Sequence, residues 1–311
     1  MRNPLVSIAC ITYNHAPYIR QCLDGFIMQQ TDFDFEIVIH DDASTDGTRD
    51  VILEYCSKYP KLFRPILQEQ NRYKEGKGIF ARFVFPKCRG KYIAMCEGDD
   101  YWTDPLKLQK QVSLLEENIN YSCSFHVCNI VNSLGDTMLE DYPQCYKFED
   151  SLITLENFIG GSAIPQTLSV VFRPEVISTL PPSCRVTDIV LFYYLLKMGN
   201  AICLAENMGV YRNHSAGEWS RLSYTQKIIS TIKCRLGIYE AEGTNLSALF
   251  VILIFNIYPR SHYIKELSLT VRVIQVIYKH LGLWKTILLL YNKGVFNRFP
   301  SVETLKNMIK Q

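Results

Sequence analysis

The 311-residue sequence lacks any Cys-x-x-Cys pair, although it contains 11 cysteines. Cysteine-based zinc sites use such close spacings, so nothing in the sequence indicates a zinc ribbon or finger. Cysteines such as Cys10, Cys96 and Cys203 lie inside apolar runs, where a thiol behaves as a small buried hydrophobic group. The odd cysteine count, and a first strand that begins near Leu5 with no secretory signal before it, predict a protein of a reducing compartment.

Long apolar runs, repeats and low-complexity segments are also missing. Two apolar stretches near the C-terminus cover residues 246–258 and 281–291, which is 13 and 11 residues. A helix needs about 20 apolar residues to cross a bilayer, so we expect no transmembrane helix. The composition, 48% hydrophobic and 21% charged, is that of a globular protein with one large domain and an extension.

Charge is distributed unevenly along the chain. The net charge is +2, but residues 226–311 carry +8 and residues 1–225 carry −6. We therefore predict an α/β domain at 1–220 and a basic, mostly helical region at 221–311. The basic region has two open interpretations, a small helical bundle or an amphipathic surface that rests on anionic lipid. We expect a cytoplasmic protein, and the second interpretation would place it peripherally on the inner face of the plasma membrane.

Short β-rich runs alternate with helical segments through the first half of the chain. Four strands are predicted at 5–11, 35–40, 63–67 and 92–96, with helices between them, the third near 79–86. This alternation is typical of a parallel sheet flanked by helices, in which consecutive strand ends share one edge. After residue 120 the pattern loosens into a more mixed half. There the sequence predicts an apolar helix at 189–198 and strands at 121–131, 167–172, 201–205 and 209–212.

Acidic residues follow two of these strands. Asp41 and Asp42 come directly after the second strand, and Glu97-Gly98-Asp99-Asp100 ends the fourth. Ligands bind at the carboxyl edge of open α/β sheets, and we expect both acidic pairs and Thr12 along that edge. Adjacent carboxylates repel and a divalent cation removes that penalty, so a metal site is one interpretation. An ordinary acidic turn is the other, since Asp and Gly favour turns.

Three motifs appear in a fixed order within residues 4–215. They are Val6-Ser7-Ile8 followed by Thr12-Tyr13-Asn14, the run Asp41-Asp42-Ala43-Ser44-Thr45-Asp46-Gly47-Thr48, and Arg89-Gly90-Lys91-Tyr92-Ile93 followed by Asp99-Asp100. With these motifs the chain resembles family 2 glycosyltransferases, which have the GT-A fold, a single nucleotide-binding α/β domain. His40 and Ala43 depart from the family pattern, in which Val or Asp and Gly are usual. No resemblance covers residues 220–311.

The resemblance implies an inverting, metal-dependent transfer of a sugar from a nucleotide-sugar, most often a UDP-sugar, to a glycan or lipid-linked acceptor. The metal would be Mn²⁺ or Mg²⁺, bound by Asp100 with His214 as a further contact. Asp188 matches the position of the catalytic base, and Tyr101 and Trp102 are candidates for stacking on the acceptor. The residues implied for nucleotide binding are Thr12, Tyr13, Asn14, Asp41, Asp42, Arg72 and Asp99.

Several of these residues have a purely structural alternative. Asp188 follows Thr187 at a helix start, where Asp is a favoured capping residue. His214 could be an ordinary loop histidine, and Trp102 could pack in the core. The cationic cluster at 72–91 could meet a diphosphate or form a solvated face.

Two other functions remain open on the sequence alone. A nucleotidyltransferase would have a similar acidic site, but it would need a glycine-rich basic loop where this chain has Thr12-Tyr13-Asn14-His15-Ala16. A non-catalytic protein that binds nucleotide-sugars would keep the donor site without turnover. An NAD-binding enzyme is disfavoured because no Gly-x-Gly-x-x-Gly follows a strand. Nucleic acid is not an expected partner, because the predicted nucleotide site lies in the acidic part of the chain.

Overall fold

The computed structural model describes residues 3–75, 78–146, 148–159, 164–181 and 185–242. Its strands are β1 Val6–Thr12, β2 Phe35–Asp41, β3 Phe63–Leu67, β4 Tyr92–Glu97, β5 Tyr101–Trp102, β6 Tyr121–Asn132, β7 Thr137–Tyr142, β8 Ser151–Ile153, β9 Val171–Phe172 and β10 Asn200–Asn213. Its helices are α1 Ile19–Ile27, α2 Thr48–Lys58, α3 Lys107–Glu117, α4 Leu155–Ile159, α5 Asp188–Met198 and α6 Tyr224–Glu242.

Two compact units divide the chain. One comprises Met1–Phe158 and Ser162–Arg221, and the other comprises Ile159–Gly161 and Leu222–Gln311. Helix α6 belongs to the second unit, and both predicted apolar stretches, 246–258 and 281–291, lie outside the described residues. Within the described ranges, no helix combines the length and the apolar character that a membrane crossing requires.

The first half of the sheet is parallel, in the order β3-β2-β1-β4. β1 pairs with β2 on one side and with β4 on the other, so that Thr12 lies beside Asp41 and Ile11 lies beside Glu97. Central parallel strands are covered on both faces, which explains why β1 and β4 are almost uninterrupted runs of buried residues. The prediction of a parallel sheet with one shared edge is confirmed for these four strands.

The second half of the sheet is mixed. β9 is antiparallel to both β4 and β6 and so joins the two halves. β6 and β10 form a long parallel pair, and β5, β7 and β8 add antiparallel neighbours. β10 is one strand with bulges around Asn207, whereas the sequence predicts two strands, 201–205 and 209–212. A bulge interrupts the two-residue alternation of side chains, which makes one strand look like two in the sequence.

Two other predicted elements differ from the structure. The helix predicted at 79–86 is a π-helical turn, Phe80–Val84, followed by a 3-10 turn, Phe85–Lys87. Pro86 lacks a backbone N–H, so a regular α-helix is not continued through it. The strand predicted at 167–172 is a 3-10 turn, Thr167–Ser169, before the two-residue β9.

Helix α5 is stabilised by the burial of its apolar residues and by a capping hydrogen bond at its first turn. Its residues from Ile189 to Leu196 are all buried, as expected for a helix that is hydrophobic on every side. Thr187 precedes the helix and caps it, because its Oγ1 accepts a hydrogen bond from the Val190 backbone N at 3.4 Å. The capping position is therefore Thr187, and Asp188 is the first helical residue.

At the opposite edge of the parallel sheet, the buried carboxylate of Glu36 links neighbouring strands. Glu36 Oε1 accepts hydrogen bonds from Ser7 Oγ at 2.7 Å and from the Arg89 backbone N at 2.9 Å. Its Oε2 accepts from Arg89 Nε at 2.9 Å and from Arg64 Nη1 at 3.1 Å. Burial alone would raise the pKa of Glu36, but these bonds hold it below its ordinary value. Next to Arg89, a Cβ on Gly90 would lie 2.5 Å from the Ser7 backbone N, so this motif has a structural role.

We predict that Glu36→Gln lowers the free energy of unfolding at pH 7 by about 1–3 kcal/mol, because Arg89 loses a charged partner. The stabilisation comes from a carboxylate with a lowered pKa, so it is present above the ordinary pKa and is lost as the pH falls through the folded-state pKa. Urea unfolding at several pH values measures both effects. Glu116→Gln is the control, because Glu116 forms an exposed ion pair with Lys91 at 2.7 Å and should cost less than about 1 kcal/mol. Equal stability of Glu36→Gln and the wild type at pH 7 would contradict the prediction.

Candidate active site

The carboxyl ends of β1, β2 and β4 lie side by side and form the floor of the candidate site. The Asp42 backbone N donates to Thr12 O at 3.0 Å, and the Gly98 backbone N donates to Ile11 O at 2.8 Å. These bonds extend the strand pairing past the strand ends, so both acidic pairs stay in line with β1. A Cβ on Gly98 would lie 2.7 Å from the Thr12 side chain, which leaves no room for a larger residue between Glu97 and Asp99.

Asp41 uses both of its carboxylate oxygens inside the protein. Oδ2 accepts from Arg49 Nε at 2.9 Å, and Oδ1 accepts from the Ser44 backbone N at 3.2 Å. The side chain is fully buried. Asp41, predicted as a nucleotide contact, holds the loop after β2 in this structure. Within that loop Ala43 has a φ of 64°, in the left-handed region that favours glycine, the residue usual in the family pattern.

Asp42 and the segment after β3 are joined at the same edge. Asp42 is 3% exposed, and its Oδ1 accepts a hydrogen bond from the Arg72 backbone N at 2.8 Å. The Arg72 guanidinium pairs with Glu75 Oε1 at 2.7 Å. Of the two predicted acids after β2, Asp42 is therefore the one that fits a ligand-binding role, and Arg72 reaches it through its backbone.

The loop after β1 contains residues of two kinds. Tyr13 is 45% exposed, and Thr12 Oγ1 is buried without a hydrogen-bond partner in the described part of the structure. Asn14 instead joins the loops after β1 and β2, because its Oδ1 accepts from the Thr45 backbone N and its own N donates to Ser44 Oγ, both at 2.9 Å. Asn14 therefore holds the two loops together.

Two histidines share one oxygen of Asp99. His214 Nε2 lies 2.9 Å from Asp99 Oδ2, and His15 Nε2 lies 3.6 Å from the same atom. Burial alone would raise the pKa of Asp99, but the His214 hydrogen bond and the two histidines hold it below its ordinary value. Burial lowers the pKa of His15. His15 is not among the predicted site residues, although it directly follows Thr12-Tyr13-Asn14.

Asp100 is buried among like charges. Its Oδ1 accepts a hydrogen bond from the Arg212 backbone N at 2.9 Å, while its Oδ2 has no partner in the described structure. Burial and the charges of Asp99 and Glu97 raise the pKa of Asp100 well above its ordinary value. The Arg212 guanidinium lies between two aromatic rings, 5.0 Å from the centre of Tyr18 and 4.6 Å from that of Tyr101, and it bonds to Gln21.

Glu97 is the third carboxylate at the end of β4. Burial raises the pKa of Glu97 to about 8, and the charges of Asp99, Asp188 and Glu218 add to the effect. The charge of Asp188 also raises the pKa of Tyr142. Asp188 therefore lies within electrostatic reach of the acids at the sheet edge. It is exposed, and its Oδ1 accepts from the Ile189 backbone N at 2.8 Å.

Tyr101 and Trp102 point to different surroundings. Trp102 is 2% exposed, its Nε1 donates to Leu168 O at 2.8 Å, and its ring packs 4.8 Å from that of Phe26. Trp102, predicted as a candidate for acceptor binding, is therefore enclosed in the core, which is the structural alternative for this residue. Tyr101 is partly exposed and packs on the Arg212 guanidinium.

The donor atoms at this edge suit a hard divalent cation. Within the described ranges, no three His, Cys, Asp or Glu side chains surround a common metal position. A Mg²⁺ or Mn²⁺ ion on a diphosphate needs only one or two carboxylates, because phosphate and water oxygens complete its coordination. Asp99 Oδ1 and Asp100 Oδ2 are buried carboxylate oxygens without partners in the described structure, so they fit this requirement. His214, predicted as a metal contact, is bonded through Nε2 to Asp99 and so orients that carboxylate.

Known proteins resemble this chain in sequence. The profile of the family described as Glycosyl transferase family 2 matches residues 7–173. An uncharacterized protein of Mycobacterium tuberculosis (strain H37Rv) is 40% identical over 248 residues, which cover 78% of this chain and 66% of the relative. TuaG of Bacillus subtilis (strain 168), named as a teichuronic acid biosynthesis glycosyltransferase, is 28% identical over 233 residues, which cover 71% of this chain and 86% of the relative. The chain thus spans about two thirds of the length of the M. tuberculosis relative.

Solved structures share the fold. TarS 1–349 of S. aureus, in complex with UDP-GlcNAc, matches with a TM-score of 0.63 at 19% identity, covering 89% of this chain and 81% of that chain. Mannosyltransferase PcManGT from Pyrobaculum calidifontis, in complex with GDP-Man and Mn²⁺, matches with a TM-score of 0.59 at 17% identity, covering 100% and 85%. The predicted GT-A fold, a mixed sheet flanked by helices, is confirmed. Since the family profile covers more than half of the chain, this protein belongs to glycosyl transferase family 2.

Proposed function

We propose that this protein transfers a sugar from a UDP-sugar to a hydroxyl group of a glycan or lipid-linked acceptor, with inversion at the anomeric carbon. One observation carries the proposal: Glu97, Asp99 and Asp100 crowd at the end of β4, and Asp188 on α5 is close enough to raise the pKa of Glu97. Acids from two separate elements therefore lie within electrostatic reach of each other at the sheet edge, where ligands of α/β proteins bind. Family membership and the donor-bound structures of TarS and PcManGT support the same reaction class.

The nucleotide would occupy the edge formed by β1, β2 and β4. In this proposal Asp42 accepts a hydrogen bond from the uracil N3–H, and Tyr13 and Thr12 lie beside the same base. Its support is that one Asp42 oxygen is held by the Arg72 backbone N–H and that Tyr13 is exposed. The Arg72 backbone N–H holds the Asp42 carboxylate, so the position of Asp42 depends on the segment after β3. In this proposal Asp99, held by His214 and His15, approaches the ribose and diphosphate.

Asp100 and Asp99 are the residues that would hold Mn²⁺ or Mg²⁺. Their buried, unpartnered oxygens are hard ligands in a place where negative charges already repel. When bound, such an ion acts as a Lewis acid that stabilises the negative charge of the leaving diphosphate. The Mn²⁺ reported with PcManGT is consistent with this choice of metal.

Asp188 is assigned the role of general base. Thr187 caps α5, so the Asp188 carboxylate is not required as the helix cap. In the proposed step the acceptor oxygen forms a bond to the anomeric carbon as the bond from that carbon to the diphosphate oxygen breaks. Asp188 removes the proton of the acceptor hydroxyl, and the electron pair of the broken bond leaves with UDP. A single displacement from the opposite side inverts the anomeric configuration.

The two acids after β2 should separate structure from ligand binding. Asp42→Asn retains an oxygen for the Arg72 N–H, so the free energy of unfolding should change little, but the Kd for UDP should rise about tenfold or more as a charged acceptor is lost. Asp41→Asn places an amide against Arg49 and should cost about 1–3 kcal/mol of stability. Urea unfolding and isothermal titration with UDP measure the two quantities. Unchanged UDP affinity in Asp42→Asn would contradict the assignment.

Removing the charge of Asp100 should have opposite effects with and without metal. The raised pKa means that the folded protein disfavours the ionised form, so this group lowers stability as the pH rises above the ordinary carboxyl pKa. Asp100→Asn should therefore raise the melting temperature in EDTA, by at least about 2 °C. The same variant should lose the extra stabilisation that Mn²⁺ gives with UDP. Thermal shift assays at pH 7.5 measure both, and a variant that still gains stability from Mn²⁺ would exclude Asp100 as a ligand.

Asp188→Asn should abolish most turnover and leave donor binding intact. Loss of a general base reduces the rate by about 10²–10⁴-fold, whereas the Kd for UDP should stay within about twofold because Asp188 acts on the acceptor. UDP release is measured with a panel of nucleotide-sugars and acceptors in the presence of Mn²⁺. Exposed Asp136, in the β6–β7 turn, gives the control variant Asp136→Asn. If the wild type binds UDP tightly but releases none with any donor and acceptor, the protein is a non-catalytic binder.

A further inference from the structure

Two segments far apart in sequence meet beside the candidate site. Tyr73 follows Arg72 after β3, and Arg185 lies three residues before Asp188. The Arg185 guanidinium carbon lies 4.4 Å from the centre of the Tyr73 ring. A cation over an aromatic face is attracted by the ring quadrupole, and Arg also stacks on it through its planar group. Tyr73 is half-buried, so the contact is partly shielded from solvent.

A second contact joins the same two segments through the backbone. Gly78 has a φ of 90°, and a Cβ built on it would lie 2.6 Å from the Val186 carbonyl oxygen. The two backbones are therefore closer than any side chain at position 78 would allow. Because Val186 is two residues before Asp188, this contact fixes the chain just before α5 begins.

A third segment adds a charge to the group. Burial raises the pKa of the Tyr73 hydroxyl, the charge of Arg185 lowers it, and a hydrogen bond and the charge of Glu218 raise it. Glu218 is itself held by Arg221, whose Nη2 lies 2.8 and 2.7 Å from its two oxygens. The charge of Glu218 also raises the pKa of Glu97. The segment that follows β10 thus meets Tyr73 next to the acidic edge.

We propose that Tyr73, Gly78 and Arg185 form a clasp that sets the position of Asp188 relative to the bound donor. One side of the clasp is fixed to the nucleotide side of the site, because the Arg72 N–H donates to Asp42 at 2.8 Å. The other side is fixed to the start of α5, where Asp188 lies. The three residues are positioning residues, and the inference rests on the proposed function of Asp188 as base.

Opening the clasp should reduce the chemical step more than donor binding. A base displaced by about 1 Å can cost about 100-fold in rate, because the proton transfer depends on its placement. Arg185→Met keeps an unbranched apolar stem and removes the guanidinium group, and we expect kcat to fall about 10- to 100-fold while the Kd for UDP changes less than about twofold. Arg185→Lys keeps a cation and should recover part of the loss.

Gly78→Ala tests the backbone contact with a matched control. Gly135, in the β6–β7 turn, has a φ of 93° and no atom within 4 Å of a built Cβ. Gly135→Ala therefore imposes the same backbone strain without a clash, so it corrects for general destabilisation. Gly78→Ala should lower kcat and Gly135→Ala should not. The melting temperatures of both variants are measured, so that a general loss of stability can be separated from the loss of kcat.

Hydrogen exchange provides a readout that does not depend on turnover. In Arg185→Met and Gly78→Ala, amide exchange in residues 185–192 should be faster than in the wild type and in Gly135→Ala. The Tyr73→Leu, Arg185→Met double variant should lose no more activity than the worse single variant, because both changes open one clasp. Unchanged exchange in both variants, or multiplicative losses of kcat, would overturn the clasp. If the wild type shows no transfer but exchange rises as expected, the proposed function fails and the structural link between the segments stands.

Discussion

Repulsion among the carboxylates at the end of β4 is the constraint on which the rest of the site depends. Burial and then the charge of Asp99 raise the pKa of Glu97, and burial and then the charges of Asp99 and Glu97 raise that of Asp100. Hydrogen bonds inside the protein offset part of this repulsion, from His214 to Asp99 and from the Arg212 N–H to Asp100. One oxygen of each aspartate is left without a partner in the described structure. Under the proposed function, a cation shared with a diphosphate would offset the remaining cost.

The groups that offset this repulsion come from distant sequence because of the sheet topology. β10 runs antiparallel to β5, with Gly209 beside Trp102 and Val210 beside Tyr101, so its end lies over the acids that precede β5. Trp102 then anchors this arrangement in the core, where the buried Lys107 Nζ lies 4.1 Å from the centre of its ring. Burial lowers the pKa of Lys107 to about 7. Asp99 and Asp100 are thus held between two anchored strands, which is the rigidity that a preorganised binding site needs.

The sequence predicted what depends on local pattern and missed what depends on packing. The four parallel strands and the acids at their ends follow from apolar runs that stop at charged residues. The different surroundings of Asp41 and Asp42 do not, because they depend on Arg49, the second residue of α2, and on the Arg72 backbone. Trp102 was a candidate for acceptor binding because it follows the acids, yet its surroundings come from α1 and from residue 168. His15 lies beside the Asp99 carboxylate, which is 84 positions away in the sequence, and no local pattern indicates that the two residues meet.

In the proposed mechanism, the base and the donor site lie on different parts of the sheet. The donor side rests on β1, β2 and β4, whose parallel register fixes Thr12, Asp42 and the β4 acids in one row. Asp188 belongs to the mixed half, on a helix whose apolar body is buried and whose first residue is exposed. Residues around that helix start can vary without disturbing the row of acids. Variation at the helix start would still move the proposed base unless a contact linked it to the donor side. The close approach of Gly78 to the Val186 carbonyl is such a contact. It involves the backbone of Val186, so it does not depend on the side chain at position 186.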